Sequence, residues 1–214
     1  MSADLADLAD LVVLVGDHAI RAPRAMTSPL VRLAVALNAE RPALVGAGVV
    51  VDDLSGPAGS REVVRAAIGA LVRRGPVASR YGRAVLVVSL SVGDLRSGGL
   101  HPQDWHAQVV ALIRTARALG HAVALLHVAY PEGEANKDAR RWSRRLGPEI
   151  ARLAAEERLH GVVQVEARGW PDPLDPGDAG AETIVHGILR LLDGSPPREA
   201  EPGPQVTVRP RRSA

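Results

Sequence analysis

The chain is expected to fold as a three-layer α/β/α domain around a parallel sheet of five strands. Three observations lead there. Short apolar runs alternate with stretches of helical periodicity, and strands that alternate with helices form a parallel sheet covered on both faces. The runs are continuously apolar, as strands buried on both faces are. The length of 214 residues and the composition, 46% hydrophobic and 23% charged, suit one domain with a substantial core.

The elements follow in order. Leu11–Val15 is the first strand, and Pro29–Asn38 a short helix. The valine-rich Ala43–Val51 is the second strand. Arg61–Arg74 places Val64, Ala67, Ile68, Leu71 and Val72 on one face, the spacing of an amphipathic helix. Ala84–Leu90 is a third, buried strand. Pro102–Leu119 is a helix, with Pro102 suited to its first turn and Gly120 ending it. Ala122–His127 is the fourth strand. Ala135–Arg158 is a long helix with Trp142, Leu146, Ile150 and Leu153 inward. Val162–Glu166 is the fifth strand, and Ala179–Leu192 closes the domain with Ile184, Val185, Ile188 and Leu192 inward. Right-handed crossovers leave few topologies. The pocket then lies beyond the carboxyl ends of the strands, at a switch point, where loops begin at Gly16, Asp52, Ser91, Ala129 and Ala167.

After Asp193 the composition changes. Pro196, Pro197, Pro202, Pro204 and Pro210 sit among glycine and charge. Residues 1–193 are therefore the α/β domain, and 194–214 a Pro/Gly/Arg-rich tail expected to be disordered. Within the tail, Gln205–Val208 carries a weak strand signal.

Several classes are excluded or disfavoured. With no cysteine there is no disulfide scaffold, thiolate zinc site or cysteine nucleophile. No apolar run, Leu11–Val15 included, exceeds five residues, which is too short to span a membrane, so no membrane partner is expected. Met1–Asp10 carries three aspartates and no basic residue, unlike a secretory signal, and the expected location is the cytoplasm. Net charge is +2, Lys137 is the only lysine, and aromatic content is 2%. Neither a concentrated basic face nor stacking aromatics stands out, so no nucleic-acid partner is expected and the arginines read as solvated helix faces. Gly56-Pro57-Ala58-Gly59-Ser60 lacks the lysine of a phosphate-binding loop. No cofactor is expected, and oligomeric state is left open.

The rim loops carry the chemistry. The first strand runs into Gly16-Asp17-His18, the second into Asp52-Asp53-Leu54-Ser55-Gly56, and the third into Ser91-Val92-Gly93-Asp94. Asp172-Pro173-Leu174-Asp175-Pro176 precedes the last helix. This order resembles the SGNH (GDSL-type) hydrolase family over Leu11–Leu192. The resemblance implies a flavodoxin-like fold and a pocket built from those four blocks. Gly16 and Asp17 match the first block, Gly56 the second, Asp94 the third and Asp172 the last. His18 stands where the family has its nucleophilic serine, and Asp175 where it has its histidine. Gly93 stands at the asparagine of the oxyanion hole, and Ser91 at that block's leading glycine.

A serine hydrolase needs a hydroxyl activated by a nearby base, and here those two positions hold an imidazole and a carboxylate. The leading reading is a rebuilt site in which Asp175 orients His18 as a general base and Asp172 supports the pair. The chemistry is then cyclisation, elimination, isomerisation or hydrolysis of a small carbonyl-containing or acylated molecule. The arginine-over-lysine bias and high alanine, glycine and proline suggest a GC-rich genome and, by association, a specialised-metabolic role. The alternatives are an inactive relative that binds a small molecule in the same cleft, and a hydrolase with a relocated serine. Ser55, Ser89, Ser91 and Ser97 lie near the rim, with Ser91 the best placed.

Candidate substrate contacts are Asp17, Asp53, Gly56, Ser91, Gly93, Asp94, His127 and Tyr130. His101 and Trp105 are further possible contacts, though Trp105 otherwise reads as a packing residue and His127 as a buried one. Asp175 also suits a turn before the last helix. His18, Asp94, Asp172 and Asp175 form a mixed nitrogen and oxygen set, but no short histidine spacing supports it, and no metal is expected.

Overall fold

The computed structural model describes residues 10–16, 29–40, 49–55, 59–77, 81, 83–90, 101–130, 137–171 and 175–192. In chain order these form β1 (Asp10–Gly16), α1 (Pro29–Glu40), β2 (Val49–Asp53), α2 (Ser60–Arg74) and β3 (Ala84–Ser89). There follow α3 (Pro102–Ala118), β4 (Ala122–Ala129), α4 (Lys137–Glu156), β5 (Gly161–Glu166) and α5 (Gly177–Leu192). The five strands are all parallel, in the order β2-β1-β3-β4-β5. The chain winds one way from β1 to β2, then returns past β1 to β3. The connections therefore diverge between β1 and β3, and there the ends of the two strands lie side by side, Gly16 opposite Ser89.

Strand alternation sorts the core into two layers. Leu11, Val13, Val15, Leu86 and Val88 pack with α2, α3 and α4, where Trp142, Leu146, Ile150 and Leu153 point inward as expected. Val12, Leu14, Val85 and Val87 pack with α1 and α5, where Leu33, Ile184, Val185 and Ile188 close the other side. Each such aliphatic side chain contributes about 1.5–3 kcal/mol when fully buried.

Most element ends shift by one or two residues from the sequence reading, and three differences have a clear physical reason or bear on the site. β2 runs on through Asp52 and Asp53, which pair with Val13 and Leu14. It is an edge strand with one side open, so carboxylates are tolerated there. Asp52 forms an ion pair with Arg74 at the end of α2. Residues 43–48 of the expected strand lie outside the described residues. In α2, Val63 is buried and Val72 is 58% exposed, because Val63, Val64, Ala67 and Leu71 form the inner face and Val72 lies round the helix from it. α5 begins at Gly177, two residues earlier than Ala179. Gly177 has φ +59°, a conformation that glycine adopts without penalty. Residues 193–214, including the expected tail, lie outside the described residues.

Candidate functional site

The carboxyl edge of the sheet is where the candidate residues were expected. β1 ends at Gly16; Asp17 and His18 follow it immediately and lie outside the described residues. So do Gly56, Ser91, Gly93, Asp94, Ser97 and Asp172. The described structure places Asp53, His127, Tyr130 and Asp175. Beside Gly16, Ser89 is fully buried, and its Oγ has no hydrogen-bond partner among the described residues. A hydroxyl sealed in this way does not reach a substrate.

Asp175 is 4% exposed just ahead of α5. Its Oδ1 accepts the Gly177 N–H at 3.1 Å, closing a turn into the helix. A carboxylate is electrostatically favoured at this end of a helix. The turn is braced by Trp170, which lies against Gly180: a Cβ there would fall 2.8 Å from the indole Nε1. Trp170 in turn meets Tyr130 edge-on, with ring centroids 6.2 Å apart. Tyr130 is buried in the core, and its N–H donates to Ser143 Oγ at 3.3 Å, tying the end of β4 to α4. Trp170 thus joins the first turn of α5, which follows Asp175, to Tyr130 and through it to Ser143. Trp170 and Ser143 had no place in the sequence reading. No local pattern marks them, because their contacts join separate elements.

His127 belongs to the other layer. It is 7% exposed and borders a cavity of about 10 Å³ lined also by Val88, Leu90, Trp105 and Ile150. That is room for roughly one water. Burial pushes its imidazole down to about 4, so at neutral pH it is uncharged. Its Nδ1 has no hydrogen-bond partner among the described residues. Trp105 is buried and donates its Nε1–H to the Leu90 carbonyl at 2.6 Å. His101 caps α3, its Nδ1 accepting the Gln103 N–H at 3.4 Å. Both side chains therefore hold the start of α3 in place. Asp53 is exposed, and its Oδ1 accepts the Ser55 N–H at 2.8 Å, an Asx turn. Between β2, which ends at Asp53, and β4, which Tyr130 follows, lie β1 and β3. Three spacings of about 4.8 Å put them roughly 14 Å apart. Asp53 and Tyr130 thus stand at opposite sides of the edge, not in one cluster. Among the described residues, no group of three histidine, aspartate or glutamate side chains is placed to hold a metal ion. No described helix is long and apolar enough to cross a membrane.

A five-stranded parallel sheet in this order, with the buried Ser89 where β1 and β3 diverge, is a doubly wound, flavodoxin-like α/β fold like that of SGNH-type esterases. Solved structures agree. Axe2, an acetylxylan esterase from Geobacillus stearothermophilus, is 18% identical, covering 86% of this chain and 94% of its own, with a TM-score of 0.63. A catalytic mutant of Axe2, altered at a histidine, gives a TM-score of 0.65 at 16% identity over the same shares, 86% and 94%. TesA is 20% identical, covering 86% of this chain and 97% of its own, with a TM-score of 0.59. No family model matches the chain, and no curated protein matches it in sequence. At these identities the likeness establishes the fold.

Proposed function

We propose that the chain takes a small carbonyl-containing or acylated molecule at the carboxyl edge between β1 and β3, with His18 as general base. Asp175 orients the imidazole, and Asp172 supports the pair. The observation that carries this reading is the burial of the Asp175 carboxylate at the start of α5, on an esterase-like scaffold. Catalytic mutants of Axe2 are described at an aspartate and at a histidine three positions later, and Asp172 and Asp175 share that spacing. With His18 where the resemblance has a serine, the chemistry passes through proton transfer and not through an acyl-serine. General-base catalysis of this kind supplies roughly 10²–10⁴-fold.

One observation favours a second reading, binding without turnover: Asp175 Oδ1 is engaged by the Gly177 N–H, as in an ordinary turn. The burial of the Ser89 hydroxyl weighs against that serine as a relocated nucleophile. A screen of small esters and lactones, read by mass spectrometry, separates these readings. His18→Ala is expected to lower turnover by about 10²-fold or more, with Asp175→Asn lowering it less. Turnover intact in His18→Ala refutes the base assignment. Binding with no turnover in the parent chain moves the assignment to the second reading.

A further inference from the structure

We infer that the molecule taken at this edge carries an anionic group, a phosphate or a carboxylate, and that the outer side of α4 draws it in. The inference rests on the proposed function in one respect, that this edge is the ligand site. Its own basis is the charge on α4. Within the first nine residues of the helix stand Lys137, Arg140, Arg141, Arg144 and Arg145, against a single acid, Asp138. Nine residues of helix span about 13 Å. Lys137, Arg141, Arg144 and Arg145 are exposed, and Arg140 is half-buried, with its Nε enclosed and lacking a hydrogen-bond partner among the described residues. Lys137 and Arg141, Arg140 and Arg144, and Arg141 and Arg145 are each spaced one turn apart. Each such like-charge pair destabilises a helix by about 0.2–0.5 kcal/mol.

The helix dipole makes the arrangement worse, since cations are disfavoured at an amino-terminal end. The other two acids of α4, Glu149 and Glu156, sit in its second half. There Glu156 accepts Arg152 Nε–H at 2.7 Å, and Glu149 faces His106 Nδ1 at 3.0 Å. Helix stability alone would favour the reverse distribution. The net charge of the whole chain is only +2, so this positive region is local.

Its position ties it to the site. Ser143, within the basic turns, accepts the Tyr130 N–H, and Ala139 packs in the same core cluster as Tyr130. Tyr130 meets Trp170, and Trp170 lies against the first turn of α5, which follows Asp175. Guanidinium groups match phosphate and carboxylate by paired N–H donors, and four of the five cations are arginines. Trp142 and Tyr130 are buried, so they offer no ring for stacking a nucleic-acid base. The exposed large apolar side chains among the described residues, Val31, Val35 and Val72, lie on other helices and give α4 no face for a lipid surface.

The test titrates the isotope-labelled full chain with acetyl phosphate and, separately, with neutral triacetin, following amide resonances. Acetyl phosphate is expected to shift Arg140, Arg141, Ser143 and Arg144, and to bind at least about tenfold more weakly in Arg141→Glu/Arg144→Glu. Raising salt from roughly 20 to 300 mM should weaken it similarly. Arg73→Glu/Arg158→Glu makes the same charge change at exposed positions at the other end of α2 and just past α4, and should retain affinity. Competition by inorganic phosphate or by succinate shows which anion is preferred, and either result supports the inference. It is overturned if triacetin binds as tightly as acetyl phosphate, if neither anion competes, or if both charge-reversal pairs weaken binding equally. A short DNA duplex that gives the same shifts at lower concentration also overturns it, in favour of a nucleic-acid surface. Binding is read without turnover, so a failure of His18 as the base leaves this result standing, and the converse holds.

Discussion

Gly69→Ala and Gly180→Ala make the same chemical change in two helices and should move stability in opposite directions. Replacing a helical glycine by alanine gains about 0.8–1.0 kcal/mol of helix propensity where nothing obstructs the new methyl group. At Gly69 in α2, the nearest atom to an added Cβ is Arg73 Nη1 at 3.3 Å, the far end of a flexible side chain. Nearly the full gain should appear. At Gly180 in α5, the added Cβ would overlap Pro176 and lie 2.8 and 2.9 Å from Trp170 Nε1 and Cε2. A proline ring and a partly buried indole packed on the core cannot yield as an arginine tip does. Overpacking of this kind costs about 1–3 kcal/mol, which offsets or exceeds the propensity gain. The two variants should therefore differ by about 2 kcal/mol. For a domain of this size that is roughly 4–8 °C in Tm. Urea unfolding followed by circular dichroism, with thermal melts alongside, measures both quantities. Equal stabilisation of the two variants would show that Trp170 does not bear on Gly180, and the bracing of the Asp175 turn would fall with it.

Acid stability should depend on His127. Its folded-state pKa is about 4 against an ordinary 6.5, so the native state binds fewer protons than the unfolded chain between those values. The corresponding stability is fully present above 6.5 and is lost as pH falls towards 4, about 3 kcal/mol in all. His121, lowered by burial and then by the Arg74 guanidinium, acts in the same direction. Urea midpoints from pH 7.5 to 4 should fall more steeply in the parent chain than in His127→Leu, and parallel curves would contradict the assignment. Ser89→Ala removes a buried hydroxyl that lacks a partner among the described residues, and should be neutral or stabilising by up to about 1 kcal/mol. A loss above about 1 kcal/mol in the same unfolding assay would reveal a hydrogen bond that the hydroxyl makes.

What was legible in the sequence was local. Continuous apolar runs located β1, β3 and β4, and the spacing of Trp142, Leu146, Ile150 and Leu153 gave the buried side of α4 correctly. Side-chain periodicity follows from backbone geometry within an element, so no neighbour is needed to read it. The same reasoning went wrong at Val72, because one turn of apolar residues fits more than one helix face until a packing partner selects it. It also stopped β2 short of Asp52 and Asp53, whose strand conformation is carried by the ladder with β1 and whose charges are tolerated at an edge.

The candidate site divides in the same way. The sequence by itself determined the alternation that demands a parallel sheet, and it offered the buried character of His127 and the turn-forming character of Asp175. Only the tertiary structure decided that β1 and β3 lie side by side, that Trp170 links the first turn of α5 to Tyr130, and that His127 faces the other layer. Only there, too, are the arginines of α4, read from the sequence as solvated charge on helix faces, tied through Ser143 and Tyr130 to the carboxyl edge of the sheet. Strand order and contacts between elements are set by burial of surfaces far apart in the chain, and no short stretch of residues records which surface will meet which.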